Sequence, residues 1–295
     1  GGSVSSSEGG GTWAGGTSGG GGSGGGSAAS LVGTAPFPGL PVGNDGWTVF
    51  TPAPDTRIVY VSSSTGSDNN TGLSETSPKQ TLASAFALLR DGYPDWMVLK
   101  AGDTWIESLP WWGKSGRSVS APMVIGSYGS GERPLLKTGT SFGFQSAAFA
   151  GVPRRHIVLA DLHLWAHTNN GSATVSGVDI TNGLNDVLIE NCYVEQYSVN
   201  ISAQGIESRP TNIKIRRSVI ANSLSTSGRS TGIILGHSDN VLIEECILDH
   251  NGWSETAAGC SPTIFSHNVY INPDNTTGVV VRGSIVARGA ASGVR

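Results

Sequence analysis

Three basic side chains, Lys214, Arg216 and Arg217, lie within one short segment, IKIRRS. A basic patch of this kind can bind the carboxylate of an acidic sugar polymer, because ammonium and guanidinium groups both pair with carboxylate oxygens. Arg216 has a second interpretation, since glutamates precede and follow it at equivalent positions of a repeat. Opposite charges on neighbouring strands would then form a stabilising ladder on one outer face. Arg216 is therefore a candidate carbohydrate-binding residue, with the structural ladder as the alternative.

Three histidines flank predicted turns: His237 in GHSDN, His250 in LDHNG and His267 in SHNVY. Asp239 follows His237, and Asp249 precedes His250. A histidine beside an aspartate can act as a general base or contribute to a metal site. The chain has no compact spacing of His, Cys, Asp and Glu of the kind that metal sites use, so the sequence supports a metal site only weakly.

Tryptophans are the other candidate ligand-binding residues, because an indole ring can stack on a sugar ring. Four of them are candidates: Trp111, Trp112, Trp165 and Trp253. The alternative is that these large rings fill the core or the base of a loop. Trp165 and Trp253 are the two that we predict to bind carbohydrate.

The composition indicates a strand-rich protein. The 295 residues include 43 glycines and only 14% charged residues, which is typical of a chain with many turns and short strands. A net charge of -4 argues against a nucleic-acid partner, which would require a basic face. No apolar run is long enough to span a bilayer, and no secretion signal opens the chain. We expect a processed chain or a piece of a longer one, and the uncapped ending ARGAASGVR favours a piece.

A repeat explains how these side chains are positioned. Five segments align without gaps: IVLADLHL, VLIENCYV, IKIRRSVI, VLIEECIL and VVVRGSIV. Their first residues are Ile157, Val187, Ile213, Val241 and Val279. A second strand is predicted before each of the last four segments, at Gly177, Gly205, Gly232 and His267. Short β-rich units at periods of 20 to 50 residues predict a right-handed parallel β-helix.

The aligned positions predict which way each side chain points. The first and third positions are β-branched or leucine in every unit and should face inward. The sixth position contains Cys192 and Cys246 and should lie at an inward corner. These cysteines are two coils apart in one column, roughly 9.6 Å, which is too far for a disulfide. Cys260 has no predicted partner.

The second aligned position should form an outward stripe that is mostly apolar. Its members are Val158, Leu188, Lys214, Leu242 and Val280. An exposed apolar stripe requires a cover, which could be a loop, the glycine-rich segment or another subunit. Leu188, Leu242 and Val280 are therefore candidate assembly residues.

Three regions are predicted along the chain. Residues 1–45 form a Gly/Ser-rich segment, which would be a flexible linker or would pack on the body or on a neighbouring copy. Residues 46–150 contain a capping helix, expected from Thr81 to Leu89 with Gly92 ending it, and the first coils of the β-helix. Residues 151–295 contain the regular coils.

The chain resembles the pectate-lyase-like, right-handed parallel β-helix superfamily. The resemblance is carried by YVSSSTGSDNNTGLSETSPKQTLASAFALL, by PMVIGSYGSGERPLL and by the repeated VLIENC and VLIEEC units, and it covers about Trp47 to Arg295. For an enzyme of this kind it implies a lysine or arginine base, here Lys214 or Arg217. It also implies Ca²⁺ on aspartates, here Asp239 or Asp249, and His237 is a further catalytic candidate. The acidic columns expected of calcium-dependent members are absent from the sequence.

Two functions are consistent with these observations. The first is a structural or adhesive protein of the cell exterior or cell surface, a subunit of a fibre or surface assembly that binds other copies of itself and needs no cofactor. The glycine-rich segment, the apolar stripe and the open end of the stack favour it, because unpaired strand edges must be capped or used for association. The alternative is a polysaccharide lyase or another carbohydrate-active enzyme that acts on an acidic polysaccharide, with Ca²⁺ as a possible cofactor.

Overall fold

The computed structural model describes residues 37, 39–148, 151–205, 207–272 and 276–295. The predicted Gly/Ser-rich segment lies outside the described residues up to residue 36. In chain order the elements are β1 (Ile58–Val61), α1 (Leu82–Leu88), β2 (Trp96–Lys100), β3 (Thr104–Trp105), β4 (Met123–Tyr128), β5 (Leu135–Lys137), β6 (Phe144–Ala147), β7 (Arg154–Ala160), β8 (His163–Trp165), β9 (Ser176–Thr181), β10 (Leu184–Glu190), β11 (Tyr193–Glu195), β12 (Val199–Gln204), β13 (Thr211–Arg216), β14 (Val219–Ala221), β15 (Thr231–Gly236), β16 (Asp239–Glu244), β17 (Ile247–Asp249), β18 (His267–Ile271), β19 (Thr277–Arg282), β20 (Ile285–Ala287) and β21 (Ser292–Val294).

The strands form three parallel sheets that wrap around one core. Sheet 1 has the order β1-β2-β4-β7-β10-β13-β16-β19, sheet 2 the order β20-β17-β14-β11-β8-β5-β3, and sheet 3 the order β21-β18-β15-β12-β9-β6. In the regular part, each coil visits sheet 3, then sheet 1, then sheet 2 before the next coil begins. The fold is a right-handed parallel β-helix, as the repeat predicts.

The register of sheet 1 confirms the alignment of the five segments. Val187 pairs with Ile157 on one side and with Ile213 on the other, and Val241 pairs with Ile213 and Val279. The first- and third-position residues of the first four segments belong to the buried core. The period of two along each strand and the constant step between coils therefore place these residues in continuous internal stacks.

One predicted strand is misplaced. The sequence puts the second strand of its unit at Gly205, whereas β12 ends at Gln204 and Gly205 follows it. Asn200 lies inside the strand and is fully buried, with its side-chain amide donating to the Ala221 carbonyl (2.8 Å) and to Asn251 Oδ1 (2.9 Å). This internal polar contact interrupts the apolar alternation that the sequence analysis relied on.

The helix α1 caps the first coils, as predicted. Thr81 is its N-cap, and its hydroxyl accepts from the Ser84 backbone N–H at 3.2 Å. Leu82 and Ala85 are fully buried, which places the apolar side of the helix on the core.

An N-terminal segment covers the outer face of sheet 1. We call residues 37 and 39–50 the strap. Phe37 and Leu40 of the strap form a second apolar cluster with outward residues of sheet 1, and this cluster includes Val158 and Leu188. Arg217 holds the turn of the strap, donating to the Asp45 carbonyl at 2.9 Å and lying 4.5 Å from the centre of the Trp47 ring. The strap therefore covers the apolar stripe at Val158 and Leu188.

Candidate functional site

The side chains of the predicted basic patch make hydrogen bonds and ion pairs within the protein. Lys214 is 7% exposed, and its Nζ donates to Asn240 Oδ1 at 3.1 Å. Burial lowers the pKa of this amine. Arg216 lies between Glu190 and Glu244 in sheet 1, so the charge ladder that was the alternative interpretation is present and continues to Arg282.

The three predicted catalytic residues do not converge. Lys214 lies within β13, Arg217 follows the end of that strand, and His237 lies between β15 and β16, at the opposite end of sheet 1. A six-residue strand spans roughly 20 Å, so Arg217 and His237 cannot act on the same substrate atom. The roles of Lys214 or Arg217 as a base and of His237 in catalysis stay predictions.

The aspartates proposed as calcium ligands both pair with arginine. Asp239 accepts from Arg209 at 2.8 and 2.9 Å, and Asp249 accepts from Arg288 at 2.8 and 2.5 Å. Among the described residues no group of three or more His, Cys, Asp and Glu is arranged to hold a metal ion. The geometry gives the predicted calcium site no support.

Two of the three predicted assembly residues are buried. Leu188 is fully buried beneath the strap, and Leu242 is only 8% exposed. These two leucines therefore offer little surface to another copy, and their use in assembly stays a prediction. Val280 is 48% exposed, and its use in assembly stays a prediction.

Trp165 and Trp253 lie on or beside the outer face of sheet 2, next to a hydrogen-bonded cluster. His163 and Tyr193 contact the two oxygens of Glu195, at 2.9 and 2.8 Å. Burial disfavours the charged form of Glu195, but the hydrogen bonds from these neighbours outweigh it and lower the pKa of the carboxyl group. Because its acceptors are occupied within the protein, Glu195 is a poor candidate for proton transfer. The carbohydrate-binding roles of Trp165 and Trp253 stay predictions.

The outer face of sheet 3 carries a different set of groups, which the sequence analysis did not identify. The pairing of β6, β9, β12, β15 and β18 aligns one outward column: Gln145, Asp179, Ser202, Ile234 and Tyr270. On one side this face is bordered by the connections from sheet 2, which include residues 166–175, 222–230 and 250–266. On the other side it is bordered by connections to sheet 1, including residues 205 and 207–210. We call this surface the sheet 3 face.

Asp179 is the functional candidate on the sheet 3 face. Its carboxylate accepts from Gln145 Nε2 at 3.3 Å and from the hydroxyl of Thr181. Both donors are neutral and offset only part of the cost of burying a negative charge, so burial raises the pKa of Asp179. A partly buried carboxyl group with a raised pKa is a candidate general acid.

An exposed aromatic ring stands at one end of the column. The Trp112 backbone N–H donates to the Gln145 carbonyl at 2.8 Å, so this segment runs alongside β6. The Trp112 ring packs in the core, 5.8 Å from Phe144, and the adjacent Trp111 is 47% exposed. By the alternation of side chains, Trp111 lies on the same outer side as Gln145. Tyr270 lies at the other end and stacks on His267 with ring centres 5.6 Å apart.

The sequence contained one indication of this site. The strand predicted at Gly177 is present as β9, and its residues Val178 and Ile180 are buried in the core. Asp179 between them must then point outward, and it is the only acidic residue in the six strands of sheet 3. Its burial by neighbouring loops, which gives it chemical interest, could not be deduced from that pattern.

Comparison with known proteins gives only distant structural likenesses. No protein-family model and no curated protein matches the chain. Among solved structures, a GH136 lacto-N-biosidase from Eubacterium ramulus is 15% identical over 77% of this chain and 55% of that one, with a TM-score of 0.48. A rhamnogalacturonan lyase (15% identity, 77% and 51% coverage) and the pectate lyase Pel9A (15% identity, 78% of both chains) each have a TM-score of 0.37. The chain spans about half the length of the first two proteins.

Proposed function

We propose that this chain is an extracellular carbohydrate-active protein that binds a glycan along the sheet 3 face and cleaves a glycosidic bond there, with Asp179 as the general acid. The observation that carries the proposal is the position of Asp179, whose pKa is raised by burial and whose carboxylate has only neutral hydrogen-bond donors. A protonated carboxyl group can transfer its proton to the leaving oxygen of a sugar.

The rest of the sheet 3 face is suited to a sugar chain. Trp111 and Tyr270 stand at the two ends of the column, five strand spacings apart, about 24 Å. Aromatic faces can stack on sugar rings, and the amide of Gln145 can bond to hydroxyl groups. A surface of this length accommodates several sugar units and not just one.

Glu207 is the candidate for the second carboxylate that hydrolysis usually needs. Its backbone N–H donates to Asn182 Oδ1 at 3.2 Å, and Asn182 directly follows the strand that carries Asp179. Glu207 is exposed at the border of the sheet 3 face. In this arrangement Asp179 would donate a proton and Glu207 would activate a water molecule.

The test is the release of new reducing ends from a panel of plant, microbial and animal polysaccharides. The wild-type protein should cleave at least one of them, and Asp179→Asn should lose that activity while its circular dichroism and glycan binding are retained. Loss of activity in Glu207→Gln would support its role as base. Full activity in Asp179→Asn would refute the proposed acid, and failure of the wild-type protein to bind any glycan would refute the proposed function.

A further inference from the structure

The charges around the sheet 3 face specify a class of glycan. The six strands of sheet 3 contain no lysine and no arginine. The one histidine in these strands is His267, which is 1% exposed. Burial and the charge of nearby Arg295 lower the pKa of His267, so it is uncharged near neutral pH. The only ionisable carboxyl group in these strands is Asp179. The strands therefore offer a ligand no positive charge.

The arginines in the bordering loops already have partners. Arg209 makes a two-pronged pair with Asp239, at 2.8 and 2.9 Å. Arg229 lies over the Phe265 ring, with its guanidinium carbon 5.4 Å from the ring centre. To reach a ligand on the sheet 3 face, Arg209 would have to leave its carboxylate. Arg295 follows β21, lies beside Tyr270 and donates to the Ile264 carbonyl at 3.4 Å. This cation is therefore at the Tyr270 end of the column, four strand spacings or about 19 Å from Asp179.

The groups that do face outward match uncharged hydroxyls. Gln145 and Gln204 each carry an amide that can both donate and accept, and Gln204 Nε2 already bonds to Ser202 Oγ at 3.0 Å. A sugar hydroxyl can replace or extend such contacts without transferring a charge out of water. A uronic acid carboxylate would instead lose hydration beside Asp179 with no cation to compensate.

We propose that the part of the sheet 3 face around Asp179 selects neutral sugar units and rejects uronic acids, which rests on the proposed function of that face. This reverses the acidic substrate predicted from the basic patch, because Lys214, Arg216 and Arg217 lie in or next to sheet 1 and are engaged within the protein. Selectivity arises from the lack of a cation in the strands around Asp179 as much as from the hydroxyl-binding groups.

The experiment is equilibrium binding to pairs of glycans that differ only in charge. Each uronic-acid oligosaccharide is compared with its carboxyl-reduced counterpart, alongside ordinary neutral oligosaccharides, by isothermal titration calorimetry at pH 7. We expect the wild-type protein to bind the neutral member at least about ten-fold more tightly than the charged one, since a desolvated charge without a partner is costly.

Two variants make the result specific to the sheet 3 face. Gln204→Lys adds a cation beside Thr181 and should reduce or reverse the preference. Glu75→Gln changes the net charge by the same amount on an exposed loop and should leave the preference unchanged. Equal or tighter binding of the uronic-acid member by the wild-type protein would overturn this inference while leaving glycan binding intact. Binding of neither member of any pair, nor of any neutral oligosaccharide, would refute the proposed function itself.

Discussion

Removing Arg216 should destabilise the protein more than removing any other charged residue of the ladder. Its side chain is 5% exposed, and it pairs with Glu190 and Glu244, whose side chains are 3% and 10% exposed. It also donates to the Gly46 carbonyl of the strap at 3.4 Å. Arg216→Met therefore leaves one carboxylate fully buried without a cation and loosens the strap above it.

The expected magnitude follows from the burial of the partners. Breaking a buried ion pair by removing one member costs about 3 to 5 kcal/mol of unfolding free energy, because the remaining charge is uncompensated. Burial already raises the pKa of Glu190 even with Arg216 present. Without Arg216 we expect Glu190 to take up a proton near neutral pH, which limits the loss to the lower part of that range.

Arg282→Met is the matched control. Arg282 contacts the same Glu244 but is 46% exposed, and Glu244 keeps Arg216 when Arg282 is removed. An exposed pair contributes at most about 1 kcal/mol. Burial opposes ionisation of Glu244, yet its arginine partners outweigh burial and lower its pKa, so this carboxylate stays charged and paired in the control.

The assay is urea unfolding followed by tryptophan fluorescence and far-ultraviolet circular dichroism, with wild type, Arg216→Met and Arg282→Met compared at one pH. Both probes should report the same midpoint, since a stack of coils can otherwise unfold in parts. A triple variant in which Glu190, Arg216 and Glu244 become apolar residues of similar volume should recover most of the loss. If Arg216→Met and Arg282→Met differ by less than about 1 kcal/mol, the ladder does not stabilise sheet 1 in the way described.

Three further predictions concern other parts of the molecule. The pKa of Asp179 is raised in the folded state, so the unfolding free energy falls as the pH rises from about 4, the ordinary pKa of aspartate, through the folded-state pKa. Asp179→Asn should therefore raise the melting temperature at pH 7 and leave it nearly unchanged at pH 3. Equal effects at both pH values would contradict this. Burial raises the pKa of Cys192 to about 12 and that of Cys246 to about 11, so a thiol reagent should label them only after unfolding and a reductant should not change the melting temperature. Leu188→Ala should cost about 2 to 5 kcal/mol in urea unfolding and Val280→Ala less than about 1 kcal/mol, and similar losses would show that the strap does not cover Leu188.

The coiled architecture was predictable because its inward side chains repeat. Side chains alternate along each strand and stack from coil to coil, so the first and third positions of the aligned segments are β-branched or leucine. Aligning Val187 and Val241 by sequence alone gives the strand register that the structure has. The charge ladder followed from the same alignment. Position in the repeat therefore predicts the sheet and the face of a residue.

Contacts between distant parts of the chain were not predictable from that alignment. The strap belongs to no repeat, and the hydrogen bond from the Thr48 backbone N–H to Glu190 joins residues 142 positions apart. Basic residues that looked available in the sequence, such as Arg217, are used to hold the strap. Asp179 was overlooked for the opposite reason, since a single outward aspartate in a strand has no distinctive pattern.

The measurement that tests the central claim most directly is a crystal structure of Asp179→Asn with the neutral oligosaccharide that binds most tightly. The account predicts sugar density along the outward column from Trp111 past residue 179 towards Tyr270, with a glycosidic oxygen within hydrogen-bond distance of the residue 179 side chain. Sugar bound instead on sheet 2 between Trp165 and Trp253, or on sheet 1, would contradict the assignment of the sheet 3 face as the functional site.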